Sequence, residues 1–421
     1  MTAKVNPTPS LSTRAVHADD PLNTPYTTDV SPAIHVSTTY RYPRNPNDLR
    51  PVRPEGWPTS DTDVPPHIYS RLTSPTTTRL ETLLTQILKN SSLCYSSGLS
   101  AFFALITYFR PPVVAIGPGY HGCHSVLEVH KKLYGLKVVD LFNEKEWDAV
   151  GLGEGSIIHV ETPVNPTGEA RDLTYFAKLA KSRNAILSVD ATFAPPPLLD
   201  PFQFGVDVVM HSGTKYIGGH SDMLCGVLAV RKQEWWEGLN KERVFLGSVM
   251  GNLEGWLGVR SLRTLELRVL RQSQSATKLA LWLHGVLDGN DEPLPDDGPT
   301  TTEDKSHIRK ILHKVLHTST QLIRDPASSS WISQQYPNGY SPVFSILTHT
   351  TNQAKHLPSK LNFFHHATSL GGVESLIEWR RMTHLGADER LLRISVGVET
   401  WEDLRDDLVQ AMRSLSLEGV E

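Results

Sequence analysis

Val206-Asp-Val-Val-Met-His-Ser-Gly-Thr-Lys215-Tyr-Ile-Gly-Gly-His-Ser-Asp222 is a short β-branched run that breaks into hydroxyls, one lysine and paired glycines. Apolar surroundings disfavour an ammonium group, so Lys215 is set to attack a carbonyl and form a Schiff base. Thr214 and Ser212, one and three residues earlier, carry hydroxyls suited to a phosphate on the same ligand. A lysine at a strand end is otherwise a solvated surface side chain. The hydroxyls and glycines around Lys215 argue against that alternative.

Similar short runs recur at Val113–Ile116, 136–141, 156–160, 185–189 and 206–210, separated in part by helical stretches such as 172–183. This rhythm predicts an α/β fold with a mostly parallel sheet covered by helices on both faces. At 76–90, Leu80, Leu83, Leu84, Ile87 and Leu88 lie on one helix face. Residues 256–271 read as one long amphipathic helix joining two domains, and the acidic, Pro/Gly-rich stretch 288–305 reads as a surface loop. From about His307 the pattern suggests a smaller α+β C-terminal domain, ending in a strand at 391–398 and a helix from Trp401. The organisation expected is an N-terminal arm at 1–67, proline-dense at 43–66, a large cofactor-binding domain at 68–260 and a C-terminal domain at 261–421. A chain of 421 residues is long enough for that division.

Functional side chains in such sheets gather beyond the carboxyl ends of the strands. Tyr120, Glu161, Asn165, Asp190, Ser212 and Lys215 all follow or end a predicted strand. Asp190 closes the run Ala185-Ile-Leu-Ser-Val-Asp190, and an acid leaving a buried strand needs a cationic partner. In a pyridoxal phosphate site that partner is the protonated ring nitrogen; the alternative is an aspartate capping the next turn. Ser96-Ser97-Gly98-Leu99 precedes an apolar helix at 100–109 and offers main-chain N–H groups to a phosphate, although the same pattern also describes a plain capped helix. Tyr120 is suited to stacking on an aromatic ring and to proton transfer, or simply to packing.

Gly117-Pro-Gly119-Tyr-His-Gly122 spells the G-x-G-x-x-G of a dinucleotide site, with Asp140 ending the next strand. Against a nicotinamide enzyme, the motif is not in the first strand unit, Pro118 removes a main-chain donor, and Lys215 and Asp190 are left unused. His121, Cys123 and His124 resemble metal ligands, yet no second cluster completes a site. With 41 basic and 45 acidic side chains, net charge -4, there is no electrostatic footprint for nucleic acid or acidic membrane. Three scattered cysteines, no secretory signal and no membrane-length apolar run point to a cytoplasmic protein.

With these residues assembled, the chain resembles the Cys/Met-metabolism family of pyridoxal-phosphate enzymes, which includes cystathionine synthases and lyases and the acetylhomoserine sulfhydrylases. The resemblance spans nearly the whole length. It is carried by Thr13-Arg-Ala-Val-His17, Ser37-Thr-Thr-Tyr40, Tyr69-Ser-Arg71, Ser96-Ser-Gly98, Glu161-Thr-Pro-Val-Asn-Pro-Thr167, Asp190-Ala-Thr-Phe193, the lysine segment, Ser369-Leu-Gly-Gly-Val-Glu-Ser-Leu376 and Arg393-Ile-Ser-Val-Gly-Val-Glu399. It implies the type I fold of pyridoxal-phosphate transferases, with Lys215 bearing the cofactor and shuttling protons, Asp190 on the ring nitrogen and Tyr120 on the ring face. Ser97, Gly98, Leu99, Ser212 and Thr214 would hold the phosphate, reached from a neighbouring subunit by Tyr69 and Arg71. A homodimer or homotetramer with shared active sites is thereby implied. Arg393 is expected to clamp the substrate α-carboxylate, with Asn165, Ser369, Glu161 and Thr368 lining the substrate.

The departures bear on the substrate. Thr368 stands where relatives handling cystathionine by γ chemistry often carry glutamate and where β-lyases often carry tyrosine, and Ile68 replaces an acid found before Tyr-Ser-Arg. Neither residue balances an incoming ammonium. Ala191 and Ser74 replace common asparagines. The expectation is γ-replacement on an O-activated homoserine such as O-acetyl-L-homoserine by a thiol, sulfide or carbon nucleophile, through a vinylglycine-type intermediate. Elimination, β on cystathionine or γ on methionine-like substrates, is the alternative within the fold; a nicotinamide enzyme or an inactive scaffold stands outside it.

Overall fold

The computed structural model describes residues 9–23, 29–49, 67–289 and 297–420. Most of the proline-dense stretch 43–66, the first residues of the arm and part of 288–305 lie outside the described residues. Twelve strands are formed among those described: β1 Ser91–Tyr95, β2 Val113–Ile116, β3 Lys137–Asp140, β4 Ile157–Glu161, β5 Ile186–Asp190, β6 Val208–Ser212, β7 Gly226–Val230, β8 Leu312–Leu316, β9 Val343–Thr348, β10 His365–His366, β11 Leu376–Trp379 and β12 Leu391–Ser395. The fold is α/β, with a mostly parallel central sheet and a smaller C-terminal domain.

The chain divides into two compact units, the first comprising residues 1–110, 208–218 and 222–265, the second 111–207, 219–221 and 266–421. In the first, β7 lies antiparallel between β1 and β6. Helix Pro75–Leu88 realises the predicted apolar face. Ser74 caps it by accepting from the Thr77 amide at 3.3 Å, Pro75 occupies the first turn, and Leu80, Leu83, Leu84, Ile87 and Leu88 are buried. Each of those side chains contributes about 1.5–3 kcal/mol on leaving water. Leu11–His17, within the stretch read as an extended arm, forms a helix, and the Asp19 that follows it takes Arg79 at 3.0 Å and Arg263 at 2.8 Å.

The stretch read as one helix at 256–271 is two, Asn252–Leu262 and Leu265–Leu287. Its apolar period continues across the break and no proline or glycine marks it. Arg263 sits at the interruption, donating to the Ala15 carbonyl and Asp19, a tertiary demand that local sequence does not announce. The expected loop at 288–305 also ends early, because Thr301 and Asp304 form a reciprocal capping box that starts helix Thr302–Ile311.

In the second unit β2, β3, β4 and β5 pair in parallel, ordered β5-β4-β2-β3. The same unit holds the sheet β10-β11-β12-β9-β8, antiparallel except for β10 with β11, over a core that includes Leu279, Leu283, Phe344, Ile394 and Leu408. β2 ends where its apolar run ends and β3 one residue before, whereas β4 and β5 finish one residue later and β6 two residues later than their runs suggest. Glu161, Asp190 and Ser212 are therefore the last residues of β4, β5 and β6.

Candidate active site

In the second unit Glu161 and Asp190 are register partners at neighbouring strand ends. Asp190 is 5% exposed, and its Oδ1 accepts the Thr192 amide at 2.9 Å and hydroxyl at 2.5 Å. Burial raises its pKa, and the two Thr192 bonds offset part of that rise. A carboxyl so placed is stabilised by a cation. Glu161 accepts the Tyr120 amide on Oε2 at 2.7 Å and the Asn165 amide on Oε1 at 2.6 Å. It thus ties together two loops carrying predicted site residues. Burial, then the nearby Asp190, pushes its pKa up to about 8.

Tyr120 stands just before helix His121–Tyr134, its ring 5.0 Å from that of His121, which stacks on His384 at 5.4 Å. Burial raises the Tyr120 pKa. The middle glycine of the dinucleotide-like motif has a local reason: a Cβ on Gly119 would lie 2.4 Å from Glu161 Oε2. The bare main chain there admits Glu161. Among the described residues no cluster of His, Cys, Asp or Glu forms a metal site.

Arg393, in the middle of β12, donates to Asn165 Oδ1 at 3.2 Å, to the Ser369 carbonyl at 2.8 Å and to Glu378 Oε2 at 2.6 Å. Ser369 has φ +80°, a left-handed conformation rare outside glycine and common where geometry serves a site. Thr368 beside it is exposed. Three of the predicted substrate residues, Arg393, Asn165 and Ser369, are thus directly bonded. Glu378, Arg380 and Thr192 escaped the sequence reading; the signal for Glu378 was an acid inside an apolar strand, Leu-Ile-Glu-Trp.

In the first unit Ser97 caps helix Gly98–Phe109 by accepting from the Ser100 amide at 3.1 Å. Leu99 lies in the first turn, and the positive end of the helix faces Ser212: a Cβ on Gly98 would meet Ser212 Cβ at 3.1 Å and Oγ at 3.2 Å. Lys215, partly buried in the turn after β6, donates its amide to the Ser212 carbonyl at 3.1 Å. The Thr214 hydroxyl bonds the Cys225 carbonyl at 3.3 Å and accepts its amide at 3.0 Å. Tyr69 pairs with Thr39 and is 42% exposed; Arg71 lies over its ring and donates to the Val244 carbonyl at 3.2 Å.

These residues fit pyridoxal phosphate part by part. In the first unit the start of helix Gly98–Phe109 offers main-chain N–H groups that would suit a phosphate, and Lys215 would supply the amine; in the second unit Asp190 is a buried acid that would suit a protonated ring nitrogen.

The profile of the Cys/Met metabolism PLP-dependent enzymes matches residues 12–413, and the chain belongs to that family. It is 31% identical over 367 residues to the cystathionine gamma-lyase of Bacillus subtilis (strain 168), covering 82% of this chain and 89% of the relative. It is also 28% identical to the cystathionine gamma-synthase/O-acetylhomoserine (thiol)-lyase of the same organism, covering 82% and 85%. Among solved structures, metB from Corynebacterium glutamicum superposes with TM-score 0.79 at 28% identity, covering 97% of this chain and 99% of the other. The protein is accordingly a pyridoxal-phosphate-dependent enzyme of the trans-sulfuration type, acting by cystathionine gamma-synthase/lyase-type chemistry, and pyridoxal phosphate is its cofactor. The nicotinamide alternative falls with that assignment. No helix among the described residues is long and apolar enough to cross a membrane.

Proposed function

We propose that the enzyme carries out γ-replacement on an O-activated homoserine, O-acetyl-L-homoserine in the first instance, with sulfide, a thiol or a carbon nucleophile. The observation carrying this reading is Thr368, an exposed hydroxyl residue directly before the Ser369 whose carbonyl receives Arg393. Position 368 itself carries no acid to hold a distal ammonium, which disfavours cystathionine and leaves an uncharged acyl ester or a nucleophile without an amino group.

In this reading Lys215 bears the cofactor and its Nζ moves the proton at substrate Cα. Asp190 keeps the ring nitrogen protonated, Tyr120 covers the ring, and Ser97, Gly98, Leu99, Ser212 and Thr214 hold the phosphate. Bound pyridoxal phosphate supplies the electron sink for charge developing at Cα. Arg393 forks onto the α-carboxylate beside Asn165 and Ser369, with Thr368 toward the γ substituent and Glu161 fixing the Tyr120 and Asn165 loops. Tyr69 and Arg71 serve the phosphate of a neighbouring subunit in a homodimer or homotetramer, and three buried free cysteines are in keeping with a cytoplasmic enzyme.

Mass spectrometry of products from O-acetylhomoserine, offered with and without a panel of thiols and carbon acids, tests the proposal. Adducts at Cγ are expected. Only 2-oxobutyrate and ammonia, whatever nucleophile is present, would establish elimination instead, the second reading supported by the likeness to a cystathionine gamma-lyase.

A further inference from the structure

Three charged side chains meet around one carboxylate oxygen. Glu378 on β11 and Arg393 on β12 are register partners, and Glu378 Oε2 accepts from Arg393 Nη2 at 2.6 Å and from Arg380 Nη1 at 2.6 Å. Its Oε1 accepts the Thr383 hydroxyl at 2.7 Å, and Arg380 donates to that hydroxyl at 3.1 Å. Arg380, Glu378 and Arg393 are 4%, 3% and 4% exposed, so water screens them little. Burial alone would raise the Glu378 pKa, but Arg393, the Thr383 bond and Arg380 outweigh it and hold the acid ionised.

That arrangement raises an electrostatic difficulty for a carboxylate clamp. A guanidinium joined to a carboxylate as close as Glu378 forms a nearly neutral pair, and its pull on a second carboxylate is largely cancelled. Arg380 changes the count. Two guanidiniums and one carboxylate leave the group at +1, and the buried Arg380 Nε has no acceptor among the described residues to cancel that surplus. The Arg380 charge also reaches toward Tyr120, acting on its phenol in the same direction as Arg393.

We infer that Arg380 is a positioning residue that keeps the Arg393 clamp cationic, acting through Glu378 so that the group carries the single positive charge one substrate α-carboxylate requires. This rests on the proposed role of Arg393.

Steady-state kinetics of the holoenzyme on O-acetylhomoserine, with the inhibition constant of propionate as a chemically inert carboxylate probe, test it. In Arg380→Met both KM and the propionate constant should rise on the order of tenfold to a hundredfold, the scale of one charged hydrogen bond, with kcat little changed. The double variant Glu378→Gln with Arg380→Met restores the count to +1 and should bring both constants back toward the natural values. Arg380→Lys keeps the charge and covers the case in which the methionine variant fails to fold; it should retain the natural KM. A double variant as impaired as the single one, or an Arg380→Lys variant as impaired as a neutral one, would show that Arg380 acts by shape alone and would overturn the inference. An unchanged KM in Arg393→Ala would instead remove the clamp reading itself, a separate failure.

Discussion

Glu161 Oε2 lies 2.7 Å from the main-chain nitrogen of Tyr120, so the acid ending β4 holds the loop on which the aromatic residue stands. An acid whose pKa is higher in the folded state, here about 8 against 4.5, binds more protons folded than unfolded between those values. Its contribution to stability is present below 4.5 and lost as pH rises through about 8. Melting temperatures from pH 5 to 9 should therefore fall more for the natural chain than for Glu161→Gln; parallel curves would contradict this. Glu161→Ala, which also releases the Asn165 amide, should cost about 1.5–3 kcal/mol of stability near neutral pH, measurable by urea unfolding.

The role proposed for Asp190 sets chemistry against stability. Burial makes its ionised form costly, while Thr192 holds the side chain in place through Oδ1. Asp190→Asn can keep both Thr192 bonds yet loses the charge. The cofactor-free variant should melt higher than the cofactor-free natural protein at pH 7, and the loaded variant should lose kcat, a trade seen where sites are built against stability. Calorimetry of the cofactor-free proteins and kinetics of the loaded ones check the two arms.

Lys215 stands in a turn fixed by its own amide on the Ser212 carbonyl and by the Gly218 amide on the Gly213 carbonyl at 2.8 Å, so removing the side chain should leave the turn intact. Lys215→Ala is expected to fold, to lose the borohydride-sensitive chromophore, and to lose turnover by on the order of 10²–10⁴ for the proton transfer alone. Full turnover in that variant would remove the assigned role.

The parallel part of the sheet was legible because its strands are β-branched runs closed by chemistry-bearing residues, and Asp190, Glu161 and Ser212 fall at strand ends. β1 was not, since Ser91-Ser-Leu-Cys-Tyr95 is half hydroxyl and becomes a strand by pairing with β7. Helix 256–271 failed for a related reason: Arg263 breaks it to reach residues nearly 250 positions away, and sequence periodicity carries no trace of such a partner. Arg393 could be singled out from its motif as a clamp candidate, but Glu378 and Arg380 could not, because what joins them to it is a shared oxygen atom.

The cap at Thr301 shows the opposite case, a local signal overlooked within a stretch whose composition suggested a loop. Thr301 Oγ1 accepts the Asp304 amide at 3.2 Å, and Asp304 Oδ2 accepts the Thr301 amide at 3.0 Å and hydroxyl at 2.7 Å. Thr301→Ala should cost about 1 kcal/mol, the usual effect of losing such a cap. Burial would raise the Asp304 pKa, but the two Thr301 bonds and Arg413 bring it below 3.8. An acid depressed in the folded state contributes stability above its unfolded pKa and loses it as pH falls through the folded value. The penalty of Thr301→Ala should accordingly be full at pH 7 and shrink toward pH 3, where a protonated Asp304 no longer favours the cap. Thermal unfolding across that range decides it, and a penalty that grows toward acid would reverse the assignment of Thr301 as the group that holds the Asp304 charge.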